Sequence, residues 1–327
     1  MPASLQTAID AEVDRQPAAA LRSAAAALSE RYAGHQASVV ADDVAHAAYL
    51  ATRAPATYAA TAATLRMVPP TIRTGLHSLL DLGAGPGTAT WAALAECPAL
   101  TSVTQIDRSR PLLALGQRLA SSSGLAATLQ ITQRVGDVGA VVEWPVADLV
   151  IGAYALAELS PGGRGALLSS AWLAAGRVLA LIEPGTPTGF AHLREARDVL
   201  LATGAQMVAP CPHDRACPMR GDDWCHFAVR IPRSRRHRLL KGGTLGYEDE
   251  KYACLVLARE PEVRPAAARV LRHPLVEKGR VRMRLCTPDG AQNLTVTRHD
   301  PRYRLARKTD WGDAWDDDLP EGADDAG

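Results

Sequence analysis

The sequence lacks the features that would place the protein in a membrane or route it through one. None of its apolar runs approaches the roughly 20 residues that a bilayer-spanning helix needs. Secretory signals and mitochondrial transit peptides are poor in acidic residues, whereas the segment from Met1 to Pro17 contains Asp10, Glu12 and Asp14. We therefore expect a cytoplasmic protein that makes no contact with a membrane. Internal repeats are also absent from the 327 residues.

The formal net charge is only +1, but the charges are unevenly distributed. A hydrophobic fraction of 47% with 22% charged residues is typical of a folded globular protein. Residues 230–308 are rich in arginine and lysine, and residues 310–327 form an acidic tail. This asymmetry favours a nucleic-acid-binding surface next to a solubilising end, although each basic run is also compatible with an ordinary solvated face.

Hydrophobic periodicity divides the chain into four predicted regions. Residues 1–70 are rich in alanine with helical spacing, and they form a predicted N-terminal helical region. In residues 71–260, apolar strand candidates alternate with helices, which predicts an α/β fold with a doubly wound, mostly parallel sheet. The pattern breaks into a cysteine-rich loop at 206–226. Residues 261–309 are predicted to be a small, basic, β-rich segment, and 310–327 the acidic tail. The strand candidates of the α/β region are Ser78–Leu82, Ser102–Ile106, Leu129–Arg134, Ala147–Ile151, Val178–Ile182, His226–Ile231 and Tyr252–Ala258.

A glycine-rich turn follows the first predicted strand. Gly83, Gly85 and Gly87 come directly after Asp81, and glycine allows the backbone to approach a ligand closely. The G-x-G-x-G spacing differs from the G-x-G-x-x-G of dinucleotide sites. It resembles motif I of class I S-adenosylmethionine-dependent methyltransferases, and the resemblance implies that the loop passes under the methionine part of the cofactor.

Two further acidic residues follow the next strands. Asp107 closes the second strand about 20 residues past the loop, where an acid can bind ribose hydroxyls. Asp137 follows the third strand and is placed to reach the adenine amine. The alternative is a tight strand-to-helix turn that binds nothing, with Asp107 as a helix cap.

The sequence offers no catalytic residue for methyl transfer. Many amino-methylating enzymes carry an Asn/Asp-Pro-Pro-aromatic motif after the fourth strand, but here that position reads Gly152–Leu159. Methyl transfer depends mainly on positioning the nucleophile, so this absence does not exclude an enzyme. The C-x3-C-x2-C loop of radical enzymes that cleave S-adenosylmethionine is also absent, which disfavours that class.

Three cysteines lie close together in the loop at 206–226. In a cytosolic protein, the clustering of Cys211, Cys217 and Cys225 indicates metal ligation rather than disulfides. Their spacing is wider than that of most structural zinc sites, whereas iron–sulfur centres are commonly held by four thiolates. From the residues alone, the fourth ligand is open between Cys254, Cys286 and a histidine such as His213.

Several segments together resemble a methyltransferase-like family involved in small-ribosomal-subunit assembly. They are Glu183-Pro-Gly-Thr-Pro, Cys211-Pro-His, Cys217-Pro, Trp224-Cys-His-Phe and Tyr247-Glu-Asp-Glu-Lys-Tyr. The similarity covers about residues 75–300 and implies that the α/β region is a class I methyltransferase fold. It also implies a [4Fe–4S] cluster, with zinc as the lesser alternative, that joins the C-terminal β-rich segment to this fold. The implied ligands are Cys211, Cys217, Cys225 and Cys286, the last because it precedes a Pro-Asp-Gly turn.

The remaining candidates are expected to be structural. Cys254 lies in a predicted buried strand and Cys97 on a helix, where free cysteine behaves as a small hydrophobic residue. His213 and His226 are expected to support the loop rather than to bind metal.

Two functions follow from this resemblance. The first is an enzyme that uses S-adenosylmethionine to methylate ribosomal RNA or a ribosomal protein. The second is an assembly factor without catalysis that binds the small ribosomal subunit and its RNA through the basic residues 230–308 and keeps the cofactor site as a relic.

Overall fold

The computed structural model describes residues 1–33, 42–125, 129–241, 243–259 and 265–316. The N-terminal region is helical, as predicted, and its helices share one core with a helix of the α/β region, to which Leu115 and Leu119 belong. The N-terminal helices therefore pack directly on the α/β region. They are α1 (Ala3–Asp14), α2 (Ala18–Ala33), α3 (Asp43–Thr52), α4 (Ala54–Arg66) and α5 (Pro70–Arg73).

The main sheet begins with five parallel strands in the order β3-β2-β1-β4-β5. Helices alternate with these strands, which confirms the predicted doubly wound α/β fold and its five central strands. The strands are β1 (Ser78–Leu82), β2 (Ser102–Asp107), β3 (Gln130–Val135), β4 (Ala147–Ala153) and β5 (Ala175–Pro184). The helices are α6 (Thr88–Glu96), α7 (Arg110–Ser123), α8 (Pro161–Ala174) and α9 (Pro187–Ala202).

Three antiparallel strands complete the main sheet: β6 (Gln206–Ala209), β7 (Phe227–Pro232) and β8 (Tyr247–Ala258). The C-terminal half of β8 lies between β5 and β6, and its N-terminal half pairs with β7. We predicted a loop throughout residues 206–226, but Gln206–Ala209 forms a β-strand. A four-residue strand carries too little alternation to be recognised without its partner β8. Helix α10 (Arg235–Lys241) connects β7 to β8.

A second, smaller sheet follows, with the strand order β10-β11-β9-β13 and with β12 paired to β11. It agrees with the predicted C-terminal strands, but it extends past residue 309, where we expected the tail to begin. Ala314 and Trp315 pair with β9, and Trp315 is 2% exposed in the core of this sheet. Residues 317–327 lie outside the described residues. The elements are β9 (Ala268–Val270), β10 (Leu275–Glu277), β11 (Arg280–Thr287), β12 (Gly290–Thr297), α11 (Tyr303–Ala306) and β13 (Ala314–Trp315).

The strand order of the main sheet reverses between β1 and β4, at its centre. In open α/β sheets, ligands bind outside the carboxyl ends of the strands at such a reversal. The fold therefore places the glycine-rich turn after β1 at the position where a cofactor is expected. In the described parts of the chain, we find no helix with both the length and the apolar character needed to cross a membrane.

Candidate cofactor pocket and cysteine cavity

A cavity of about 480 Å³ lies at the carboxyl ends of the central strands, and we call it the cofactor pocket. Its size falls within the range of small-molecule sites. Four residues predicted to bind the cofactor line it: Gly83, Gly85, Asp107 and Asp137. Gly85 has a φ of +54°, and a Cβ atom there would meet no protein atom within 4 Å. A side chain at this position would therefore be strained and would take up space beside the loop.

Asp107 fixes the shape of the glycine-rich turn. Its Oδ2 accepts a hydrogen bond from the backbone N–H of Gly85 at 2.8 Å, and its Oδ1 accepts one from Ser109 at 2.7 Å. Asp137 similarly accepts a hydrogen bond from the N–H of Gly139 at 2.9 Å. Both carboxylates thus hold loops that form the pocket wall.

Asp81 and Gly87, also predicted to bind the cofactor, do not line the pocket. Asp81 is 1% exposed, and its Oδ2 accepts hydrogen bonds from the backbone N–H and hydroxyl of Thr90, at 3.1 and 2.6 Å. Burial raises the pKa of Asp81 to about 6. In this arrangement Asp81 joins the end of β1 to α6 beneath the loop.

Tyr154 is a pocket residue that the sequence did not single out. It follows β4 and has a φ of +59°, a conformation that costs a non-glycine residue energy and that tends to occur at functional sites. Its hydroxyl donates a hydrogen bond to Oε1 of Glu250 at 3.1 Å, and Arg53 lies 3.6 Å from the same oxygen. The only sequence signal was an aromatic residue directly after the fourth strand. From α3, Tyr49 contributes a second aromatic ring to the pocket.

Glu183, at the end of β5, supports the turn that follows β4 at the pocket. Its side chain is fully buried and accepts hydrogen bonds from the backbone N–H groups of Leu156 and Ala157, at 2.8 and 3.2 Å. Burial raises the pKa of Glu183 to about 8, although these hydrogen bonds act in the other direction. The Glu-Pro-Gly segment thus holds the turn in which Ala155 and Glu158 line the pocket.

A second cavity lies between the two sheets, and we call it the cysteine cavity. All four predicted ligands line it, together with Cys254. Cys211, Cys217 and Cys225 come from the loop between β6 and β7, and Cys286 comes from β11. Cys254, on β8, was expected to be a core residue and is buried in a core cluster as well as facing the cavity.

Four of these thiols, those of Cys211, Cys225, Cys254 and Cys286, have a pKa that burial raises. Burial, followed by the neighbouring thiols of Cys211, Cys254 and Cys286, raises the pKa of Cys225 well above its ordinary value. Burial likewise raises the pKa of Cys286 to about 12, with Cys211 and Cys217 adding to the effect. Across the described residues, however, no three or more Cys, His, Asp or Glu side chains are arranged to hold a metal ion. The thiols share one cavity without forming a closed ligand shell.

The other candidates lie outside this cavity. Cys97 packs in the hydrophobic core beside the N-terminal helices, and burial raises its pKa to about 11. His213 Nε2 lies 3.7 Å from the Cys286 sulfur but does not line the cavity. His226 stacks on Trp224, with ring centroids 4.9 Å apart. Both histidines therefore support the loop around the cysteines.

Polar contacts connect the loop of residues 211–225 to both sheets. Trp224 Nε1 donates a hydrogen bond to the carbonyl of Gly185 at 2.9 Å, next to the main sheet. Asp223 forms ion pairs with Arg272 and Arg284, both from the segment that carries the second sheet. Side chains of the loop thus attach it to both sheets.

The raised pKa of Glu183 predicts how stability depends on pH. Between the ordinary pKa of 4.5 and the folded value of about 8, the folded state binds one more proton than the unfolded state. The free energy of unfolding should therefore fall as pH rises from about 5 to about 8, by at most about 1.4 kcal/mol per pH unit from this group. In Glu183→Gln, which has no such proton, we expect a flatter dependence in denaturant titrations.

Glu195→Gln is the matched control, because Glu195 is an exposed glutamate on α9. It should keep the slope of the unaltered protein. Equal slopes in Glu183→Gln and the unaltered protein would show that Glu183 is ionised in the folded state.

Comparison with known proteins identifies the family. A family model described as "Mitochondrial small ribosomal subunit Rsm22" matches residues 43–316. The human "Ribosome assembly protein METTL17, mitochondrial" is 30% identical, with 72% of this chain and 55% of that protein covered. "Rsm22-cox11 tandem protein 2, mitochondrial" of Schizosaccharomyces pombe is 26% identical, with 72% of this chain and 38% of that protein covered. The chain thus spans about half the length, or less, of these curated relatives.

Among solved structures, the chain matches the magnesium protoporphyrin IX methyltransferase of Synechocystis with bound SAH. It superimposes with a TM-score of 0.41 at 16% identity and covers 71% of this chain and 93% of that one. The family model, by contrast, matches most of the chain directly. The chain therefore belongs to the methyltransferase-like family described as mitochondrial small ribosomal subunit Rsm22.

Proposed function

We propose that this protein is an assembly factor of the small ribosomal subunit that binds S-adenosylmethionine and a [4Fe–4S] cluster. The observation that carries the proposal is the cysteine cavity, where thiols from the 211–225 loop and from Cys286 on β11 converge between the two sheets. Family membership supports the ribosomal role, because relatives are named as ribosome assembly and small-subunit proteins.

The cofactor pocket suits S-adenosylmethionine in its residues. The backbone of Gly83 and Gly85 leaves room for the methionine part, and Asp107 and Asp137 offer carboxylates to ribose hydroxyls and an adenine amine. Asp81 would act indirectly, through its hydrogen bonds to Thr90. The pocket supports the proposal that the protein binds S-adenosylmethionine, whether or not it transfers the methyl group.

The donor set of the cysteine cavity suits an iron–sulfur cluster. Four thiolates are the usual ligands of a [4Fe–4S] centre, and Cys211, Cys217, Cys225 and Cys286 would supply them, with Cys254 as the alternative fourth. Such a group would supply metal–thiolate bonds that join the loop to the second sheet. Zinc is the alternative metal, since thiolates also bind it.

Metal and sulfide analysis of protein purified without oxygen tests this proposal. We expect about four iron and four acid-labile sulfide per chain, with the visible absorption of an iron–sulfur centre. Cys211→Ser should lose most of the iron, because its thiol is one of the proposed ligands. Zinc without sulfide, or no metal, would refute the cluster.

Three further serine variants make the test specific. Cys97→Ser is the matched control and should retain all the iron, because Cys97 lies in the core away from the cavity. Cys286→Ser and Cys254→Ser then separate the two candidates for the fourth ligand. Retention of iron in Cys286→Ser with loss in Cys254→Ser would reassign that ligand to Cys254.

Ribosomal RNA is the proposed partner of the basic region at 230–308, but many of its cations are neutralised within the protein. Arg233 and Lys241 form ion pairs with Glu248, and Arg280 and Arg282 form ion pairs with Glu277. Arg304, Arg307 and Lys308 are exposed in and just after α11, and no ion pair is found for them within the described ranges. These three exposed cations lie within five consecutive positions, and we therefore assign the phosphate contacts to this cluster.

The salt dependence of RNA binding tests this assignment. Removal of one cation that binds a phosphate should reduce the slope of log K against log salt by about 0.7 to 0.9. Replacing Arg304, Arg307 and Lys308 together by glutamine should thus reduce the slope by about 2 to 3 in titrations with small-subunit RNA. Arg282→Gln, which removes a cation already paired with Glu277, is the control and should change the slope little. An unchanged slope in the triple variant would exclude α11 from the interface.

Methyl transfer is the second candidate function, and Tyr154 favours it. Its strained backbone and its hydrogen bond to Glu250 hold a polar group at the pocket, directly after β4. Strain of this kind persists where the surrounding structure enforces it, commonly at active sites and ligand sites. Tyr154 could thus orient the nucleophile that accepts the methyl group.

The variant Gly85→Val separates the two functions. The side chain should abolish S-adenosylmethionine binding in calorimetry, because it is strained at a φ of +54° and lies beside the pocket. If cells with this variant still mature the small subunit, assembly does not need the cofactor. If the small subunit fails to mature and a methyl group is missing from its RNA or protein, the result supports the methyltransferase function.

Tyr154→Phe is the companion variant, since it retains the ring and removes only the hydroxyl. It should bind the cofactor normally. Loss of the same methyl group in Tyr154→Phe would support a role for the hydroxyl in transfer.

The cytoplasmic location expected from the acidic N-terminal segment stays a prediction. The curated relatives are named as mitochondrial proteins.

A further inference from the structure

Two buried arginines line the cysteine cavity beside the thiols. Arg197, on α9, is 4% exposed, and Arg269, on β9, is 6% exposed. Arginine is rarely buried to this extent unless it is paired with an anion. Arg197 comes from a helix that packs on the main sheet and Arg269 from a strand of the second sheet, so the two charges are supplied by different parts of the fold.

The partners of these arginines are mainly neutral carbonyl groups. Arg197 Nη2 donates hydrogen bonds to the carbonyls of His213 and Arg215, at 2.9 and 2.6 Å. Arg269 donates to the carbonyls of Pro210 and Gly312, at 2.9 and 3.0 Å. These contacts satisfy hydrogen-bond donors of the two guanidinium groups, but neutral carbonyls do not neutralise their positive charges.

Carboxylates neutralise these charges only in part, because Asp313, which acts electrostatically on Arg269, is exposed to water. None of the described residues that line the cavity is aspartate or glutamate. Arg197 Nη1 lies 3.3 Å from Asp198, but that carboxylate is 65% exposed, and water therefore screens much of its effect. Arg197 Nε is buried and has no hydrogen-bond partner in the described part of the chain. An anion within the cavity would complete this arrangement.

We propose that Arg197 and Arg269 are positioning residues that hold a negatively charged, thiolate-ligated cluster in the cysteine cavity and raise its reduction potential. This inference rests on the iron–sulfur cluster of the proposed function. Four thiolates around a [4Fe–4S] core give a site with roughly two negative charges, which two guanidinium groups would balance.

The direction of the effect on the reduction potential follows from charge. Reduction adds an electron to a site that is already negative, so a nearby buried cation stabilises the reduced form more than the oxidised form. Removing one cation should therefore favour the oxidised form. We expect about a tenfold lower ratio of reduced to oxidised protein at a fixed potential, which is about 59 mV for a one-electron couple.

The experiment is a redox titration of the anaerobically purified full chain, followed by its visible spectrum, with iron and sulfide measured in each variant. Arg197→Gln and Arg269→Gln remove the charges, whereas Arg197→Lys and Arg269→Lys retain them. Arg194→Gln is the matched control, because Arg194 also lines the cavity but is exposed. The glutamine variants should titrate at a lower potential, and the lysine variants and the control should remain close to the unaltered protein.

The iron measurements separate a role of charge from support of the loop. Retention of iron by the lysine variants and loss by the glutamine variants would support the proposal even where no potential can be measured. Equal loss in both kinds of variant would show that the arginines act only through their carbonyl contacts, and would overturn it. A glutamine variant with full iron and an unshifted potential would also overturn it. If the unaltered chain takes up no iron, the cluster itself is refuted, and this inference with it.

Discussion

The loop of residues 211–225 lies between two sheets, where its buried backbone carbonyl groups need hydrogen-bond partners. The shape of the cysteine cavity and the attachment of the second sheet depend on these hydrogen bonds. Buried carbonyls without a partner are costly, and here guanidinium groups satisfy them. Arg197 reaches the loop from α9, and Arg269 reaches the residue that precedes it from β9. The loop therefore takes its shape from side chains of distant segments. Because the same arginines line the cysteine cavity, the interaction that fixes the loop also places positive charge beside the thiols.

One segment contacts both candidate sites, namely the end of β5 with the turn into α9. Glu183 binds the backbone of the turn at the cofactor pocket, and the carbonyl of Gly185 accepts a hydrogen bond from Trp224, next to Cys225. A Cβ atom at Gly185 would lie 2.7 Å from backbone atoms of β8, so only glycine permits this close approach. The Glu-Pro-Gly-Thr-Pro motif therefore has a structural role that does not depend on catalysis. It brings the two sites to the same edge of the sheet.

Local sequence patterns were sufficient where a residue's role depends on its immediate neighbours. The glycine-rich turn after β1, Asp107 at the end of β2 and the five central strands follow from apolar runs and their spacing. The pattern failed for Gln206–Ala209, which is too short to be recognised without β8, and for Ala314–Trp315, which sits in an otherwise acidic stretch. Tyr154 was missed because its backbone conformation and its contact with Glu250 have no signature in the residues around it.

The sequence by itself determined the α/β fold, the position of the glycine-rich turn and the cluster of three cysteines in the 206–226 loop, because each depends on periodicity, on glycine or on residue chemistry. Cys286 was indicated only by the resemblance to the family. Only the tertiary structure decided that Cys254 shares the cavity with Cys286, and that Asp81 lies beneath the loop rather than in the pocket. It also decided which cations of the basic region are already paired. These outcomes depend on contacts between residues far apart in the chain, and such contacts are set by packing and by the pairing of buried charges, which no local pattern records.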